Sequence, residues 1–212
     1  PPRSTLFPYT TLFRSTVGEK LAKGWLSMGD HLFVERWSLY MAPPERGDVM
    51  VFTTDGLTAE GRRLSELSGF FYIKRLVGLP GDTLKIVDNV LMVKPAGTTE
   101  FHPVRELSAA FDKVYSGKGG YQGHLNGMGK LIASPLQEYV VPADHYFMMG
   151  DNSRFSLDSR FFGAVPRRNL VGRAWVVFWP FSRRWGFVDH AGPLDVPTGL
   201  PNSETFPVMY RQ

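Results

Sequence analysis

The chain has 212 residues, no Cys, and 24 Lys plus Arg against 20 Asp plus Glu, for a formal charge of +4 at pH 7. That length holds one sizeable domain, or one domain with a large insert. The lack of Cys excludes disulfides, a thiol nucleophile and cysteine-based zinc sites, and no apolar run approaches the roughly 18 residues that span a bilayer.

The first fifteen residues repeat Thr-Leu-Phe at Thr5–Phe7 and Thr11–Phe13 and carry no periodicity into the adjoining segment. They are expected to be a non-native leader rather than part of the fold. Glu19–Leu26 reads as linker or a short helix. Ser27-Met28 then runs directly into Gly29-Asp30.

A strand is predicted at 71–77. Phe71, Ile73, Arg75 and Val77 point to one face, and Tyr72, Lys74 and Leu76 to the other. Lys74 thus lies between an aromatic and an aliphatic neighbour, where a low dielectric disfavours its ammonium and suits it to act as a base. The competing reading is an edge lysine that reaches out to solvent. Leu79-Pro80-Gly81-Asp82 has Pro and Gly where a type II turn requires them. Asp88-Asn89 marks a two-residue hairpin turn between the two short strands of TLKIVDNVLMV.

Val104, Leu107, Phe111 and Val114 recur at helical spacing, which predicts one amphipathic helix between Pro103 and Gly117. The glycine-rich SGKGGYQGHLNGMGK beyond it reads as a mobile loop without phosphate-loop spacing. Two strand-like runs, HYFMM and NLVGRAWVVFW, bracket the polar segment GDNSRFSLDSRFFG at 150–163. There Asp158 and Arg160 can pair to stiffen the loop, leaving the Ser156 hydroxyl free for a neighbour such as a lysine amine. The alternative is a surface turn held by Asx-type bonds. FWPFSRRWGF mixes aromatic with basic residues, a pattern that suits anionic lipid headgroups or an ordinary strand with a solvated end. The tail beyond Phe187 reads as extended. His31, His102, His124, His145 and His190 are too scattered for a metal site or a Ser/His/Asp triad, so neither metal nor cofactor is expected, and no nucleic-acid motif is present.

YIKRLVGLPGD, GDNSxxSxDSR followed by FGxVP, the upstream GDHLFVER and RGDVMVF, and the later NLVGRA together resemble signal peptidase I, over roughly Gly29 to Phe187. The resemblance implies a mainly β fold of antiparallel sheets forming a partly open barrel, with a small helix-and-loop insert. The expected division is a core at 16–94 and 136–187, an insert at 95–135, and a tail at 188–212. It further implies a Ser/Lys dyad that cleaves signal peptides bound as extended strands, at the outer face of a cytoplasmic membrane. Lys74 falls on the general base and Ser156 on the serine that orients it. Asp158 and Arg160 fall on the pair that braces the loop, and Gly150, Asp151 and Asn152 open the same box.

Two departures stand out. Ser153, Arg154 and Phe155 replace a more polar run, which touches local packing more than the role of Ser156. At the nucleophile, Ser27 has the family's following Met but not the SMxPTL spacing. The expectation is that the membrane anchor and the nucleophile segment are missing, so that the chain binds peptides without cleaving them. Two other readings stay open: a non-catalytic β module for extended peptides, and a self-cleaving repressor-type Ser/Lys protease, against which the absence of a helix-turn-helix pattern counts.

Overall fold

The computed structural model describes residues 31–59, 61–64, 71–118, 121–179, 181 and 185–188, all within one compact unit, Asp30–Asp195. Ser27, the leader at 1–15 and the tail from 189 onward lie outside the described residues.

Two antiparallel sheets dominate, and β-branched and aromatic side chains supply most of their strands. The larger sheet is built from β1 (His31–Glu35), β2 (Val49–Thr53), β5 (Phe71–Gly78), β10 (His145–Met149), β11 (Val165–Pro166), β12 (Leu170–Trp179) and β13 (Gly186–Phe187). Its order is β1-β12-β2-β5-β10-β11, with β13 also on β12. The smaller sheet runs β8 (His102–Pro103), β7 (Val90–Lys94), β6 (Thr83–Val87), β9 (Tyr139–Val140). A short ribbon pairs β3 (Thr58–Ala59) with β4 (Arg62–Arg63). The expected antiparallel β architecture is found; among the described residues the larger sheet ends at edge strands and does not close into a barrel.

The turn chemistry matches the sequence. Gly81 takes φ +86° and the Asp82 N–H bonds to Leu79 O at 3.1 Å, as a type II turn demands. Asp88 and Asn89 both have positive φ, 48° and 61°, which is the twist a two-residue hairpin needs. This pins the β6–β7 register from Val87↔Val90 outward to Thr83↔Lys94.

Strands β5 and β10 form a wall with a hydrophobic core on each side. Leu76, Tyr146 and Met148 pack with Met50, Phe52, Leu57, Leu64 and Val165 on one face. Val77, Phe147 and Met149 pack with Leu84, Ile86, Leu91, Val93, Val141 and residues of the 95–135 segment on the other. Because both faces are covered, the alternation seen early in β5 gives way to four consecutive buried residues, Arg75–Gly78, as in any strand sandwiched between layers. Gly78 is required at this crossing, since a Cβ there would stand 2.7 Å from Leu84 Cδ1 and 2.9 Å from Phe147 Cβ.

The single helix expected across 104–114 is interrupted. One turn, α1 (Ser38–Met41), lies between β1 and β2; a second, α2 (Val104–Leu107), ends at Ser108, whose backbone is extended at φ −160°, ψ 128°. The Ser108 hydroxyl accepts from Ala110 N–H and starts a separate 3-10 turn at Ala109–Phe111. A serine that caps its own downstream backbone competes with helix continuation. Val104, Phe111 and Val114 are nevertheless fully buried in the core on the β6–β7 side.

The candidate active site

Strand β5 carries Lys74 on the same face as Tyr72 and Leu76, opposite Met50 of β2. Its Nζ lies 5.5 Å from the Tyr72 ring centroid. Strand β10 pairs alongside, with Met149 opposite Arg75, and delivers the chain into Gly150. The base candidate and the polar box therefore meet because two neighbouring strands end side by side.

At Gly150 the packing leaves no room for a side chain. An added Cβ would overlap the Ser156 hydroxyl, stand 2.6 Å from Ser156 Cβ and 3.7 Å from Lys74 Nζ. The lysine amine and the Ser156 hydroxyl thus flank one glycine. Ser156 is buried, and its Oγ has no hydrogen-bond partner among the described residues.

The box is organised around Arg160, which is fully buried with Asp158. Arg160 Nε donates to Asp158 Oδ1 at 2.9 Å and Nη2 to Oδ2 at 2.8 Å, a bidentate pair. Nη1 donates to Ser153 Oγ at 2.7 Å, and Nη2 also donates to Ser153 O at 2.9 Å. Asp158 in turn accepts from Gly150 N–H at 3.1 Å. It also caps α3 (Ser159–Phe162), taking the Arg160 N–H. The Ser159 hydroxyl accepts from Met148 N–H at 2.9 Å, tying the box to β10. Asn152 starts the 3-10 turn Ser153–Phe155 without a side-chain cap bond.

A second bidentate pair, not anticipated from the sequence, sits beside the first. Arg75 Nε and Nη2 donate to the Asp151 carboxylate at 2.8 and 2.9 Å, and Nη1 donates to Gly47 O at 2.7 Å. The only local signal is a charged residue next to Lys74 in an otherwise apolar strand; the partner, 76 residues away, gives none. Burial by itself would raise the Asp151 pKa, but the Arg75 hydrogen bonds and charge, with Lys113 and His124 adding to them, hold it below the usual carboxylate value.

Three of these four charges act on Lys74, after its burial. Burial is the largest influence and lowers its pKa below 10.5; Asp158 and Asp151 pull it up and Arg160 pushes it down. Each carboxylate is already engaged by a guanidinium in two bonds, so the amine has no counter-ion in contact among the described residues. Desolvation prevails and shifts the amine toward its neutral form by lowering its pKa.

The glycine-rich run, expected from its composition to be a mobile loop, is tethered to this box. Lys130 and Leu131 N–H donate to Arg160 O at 2.9 and 3.0 Å, and Leu125 N–H donates to Ser153 Oγ at 3.0 Å. Gly129, at φ +82°, lies where a Cβ would press on the Arg160 backbone. His124 is buried nearby and its ring Nδ1 is 2.5 Å from Tyr115 OH, which accepts from Leu91 N–H at 3.0 Å. Burial and, next, the Arg160 charge push His124 down to about 4.

An exposed lysine amine with a nearby serine occurs on many surfaces, whereas an amine desolvated in a strand beside a buried hydroxyl is placed as a general base requires. The chain belongs to the signal peptidase family, peptidase S26, whose model matches residues 14–179. It is 35% identical over 159 residues to a signal peptidase I of Leptolyngbya laminosa, covering 74% of this chain and 64% of that protein. To signal peptidase I of Pseudomonas aeruginosa it is 32% identical over 186 residues, covering 74% and 62%. The chain thus spans somewhat less than two thirds of the length of these relatives. A solved signal peptidase I of Enterococcus faecalis aligns at 27% identity and a TM-score of 0.37, over 62% of this chain and 97% of that one.

Proposed function

We infer that this chain carries the catalytic base of an endopeptidase that removes signal peptides from exported proteins. The observation that supports the reading most is the desolvated Lys74 amine beside the Ser156 hydroxyl at Gly150. In the proposed reaction the neutral Lys74 amine takes the proton of a serine hydroxyl as that oxygen bonds to the scissile carbonyl carbon. The ammonium returns the proton to the departing amine as the C–N bond breaks, leaving an acyl-enzyme. Water then attacks the ester as Lys74 takes its proton, and the proton passes to the serine oxygen as the acyl C–O bond breaks, releasing the carboxylic acid and restoring the hydroxyl and the neutral amine. Ser156 Oγ is suited to hold the amine in line during both transfers, and the Asp158–Arg160 pair to hold Ser156.

Ser27 remains the nucleophile candidate, at an unusual spacing from the next strand. The deciding experiment incubates the chain with a serine-acylating β-lactam inhibitor and reads intact mass. An adduct that persists in the native chain and disappears in Ser27→Ala assigns the nucleophile. No adduct in the native chain, together with retained binding of an extended peptide, favours the non-catalytic peptide-binding reading.

Contact with a membrane surface belongs to the same proposal. Strands β1, β12 and β13, with Phe181 between the last two, display exposed aromatic pairs: Phe33–Phe178 at 4.5 Å, Trp175–Phe187 at 6.3 Å and Trp179–Phe181 at 5.6 Å between ring centroids. Among the described residues no helix is long and apolar enough to cross a bilayer, so contact through these residues is interfacial, where aromatic rings settle. Phosphatidylcholine vesicles should co-sediment the chain and shift its Trp emission to the blue, and Phe178→Ser with Trp179→Ser should remove both effects. A chain that stays in the supernatant with unshifted emission refutes membrane contact through these residues.

A further inference from the structure

At the far end of β10 from Gly150, around His145, lies a cleft of about 600 Å³. A five-residue strand spans roughly 17 Å, so this cleft is distinct from the surroundings of Lys74. Arg36, Arg167 and Arg168 line it, against one carboxylate, Asp144. None of the three guanidiniums makes an ion pair among the described residues.

The acids close in sequence are already engaged. Glu35 accepts from Ser38 N–H and pairs with Arg173. Asp48 accepts from Glu45 N–H and pairs with Arg173 Nε at 2.7 Å. His145 donates through Nδ1 to Ala143 O at 2.7 Å, which leaves Nε2 as its remaining ring atom for a ligand. Three cations on one rim repel each other unless an anion sits between them.

The floor is of a different character. Leu39, Leu170 and Val171 are half-buried apolar residues of the same cleft. Three guanidiniums from two chain segments, Arg36 after β1 and the adjacent Arg167 and Arg168 before β12, suit a tetrahedral oxyanion with several terminal oxygens, whereas a carboxylate is satisfied by a single fork. The volume exceeds what a bare phosphate fills and falls in the range of small-molecule sites.

We propose that this cleft binds an organophosphate, its phosphate held by Arg36, Arg167 and Arg168 and its carbon portion resting on Leu39, Leu170 and Val171. Such a group exists both in soluble phosphate esters and in anionic lipid headgroups. The test uses the full chain and two probes: glycerol 3-phosphate by titration calorimetry, and phosphatidylcholine vesicles with and without phosphatidylglycerol by co-sedimentation. The expected result is that at least one probe binds, and that Arg167→Gln with Arg168→Gln weakens it tenfold or more. The control pair Arg62→Gln with Arg63→Gln removes the same charge from exposed positions in β4 and should leave binding unchanged. Heat with glycerol 3-phosphate assigns a soluble ligand; a gain confined to phosphatidylglycerol vesicles assigns a headgroup. No binding of either probe, or the same effect from both arginine pairs, overturns the proposal.

Discussion

In a form of the enzyme that carries its nucleophile, replacing Lys74 with Met should lower signal-peptide hydrolysis on the order of 10³-fold, the scale of a lost general base, and at the same time raise the melting temperature near neutral pH. The second half follows from linkage. The folded-state pKa of Lys74 lies below the 10.5 of a free lysine, so between those two values the unfolded chain holds more protons than the folded one. Stability therefore rises with pH across that window, and below it the site carries the full penalty of a desolvated ammonium. Met keeps the length of the side chain and removes the charge. With Lys74 in place in that same form, activity should rise with pH as Lys74 loses its proton, with a midpoint below 10.5. Retained turnover in the variant, or a melting temperature that falls, would sink the assignment of Lys74 as a desolvated base.

Arg160→Ala should destabilise the fold by about 3–5 kcal/mol, because it strands the Asp158 carboxylate in the interior. For a domain of this size that is on the order of 10 °C in melting temperature. Asp158 and Ser153 each lose a partner at once, so the loss is not confined to one bond. The double change Asp158→Leu with Arg160→Met should cost less than the two single changes together, since no buried charge is then left unpaired. Strict additivity would mean the two side chains do not act as a unit. In either single variant peptide cleavage should also fall, through the misplacement of Ser156.

Local rules carry the part of the fold that is legible in the amino-acid order. Alternation in YIKRL places Lys74 beside Tyr72 and Leu76, Pro80-Gly81 ends the strand, and Asp88-Asn89 sets the hairpin. Short spacing between Asp158 and Arg160 lets their pairing be anticipated. The misses share a physical origin in partners distant along the chain or in single side-chain bonds that periodicity ignores. Apolar spacing at 104–114 is real and Val104, Phe111 and Val114 are buried, but one hydroxyl, on Ser108, divides the helix. Glycine content in 116–130 suggests freedom, yet Gly129 is there because the Arg160 backbone passes close by, and adjacent N–H groups need its carbonyl. By alternation alone Arg75 is a strand residue facing away from the lysine; only the return of β10 gives it Asp151.

The pairing of β5 with β10 joins segments roughly seventy residues apart, and long-range contacts of this kind bear a loop-closure cost that slows their formation. Before that closure Lys74 is an ordinary solvated lysine, protonated at neutral pH and chemically idle. Its basicity is a product of completed folding rather than a property of the residue. A half-folded chain is in this way without its base, because the lowered pKa of Lys74 belongs to the structure in which β10 has paired with β5.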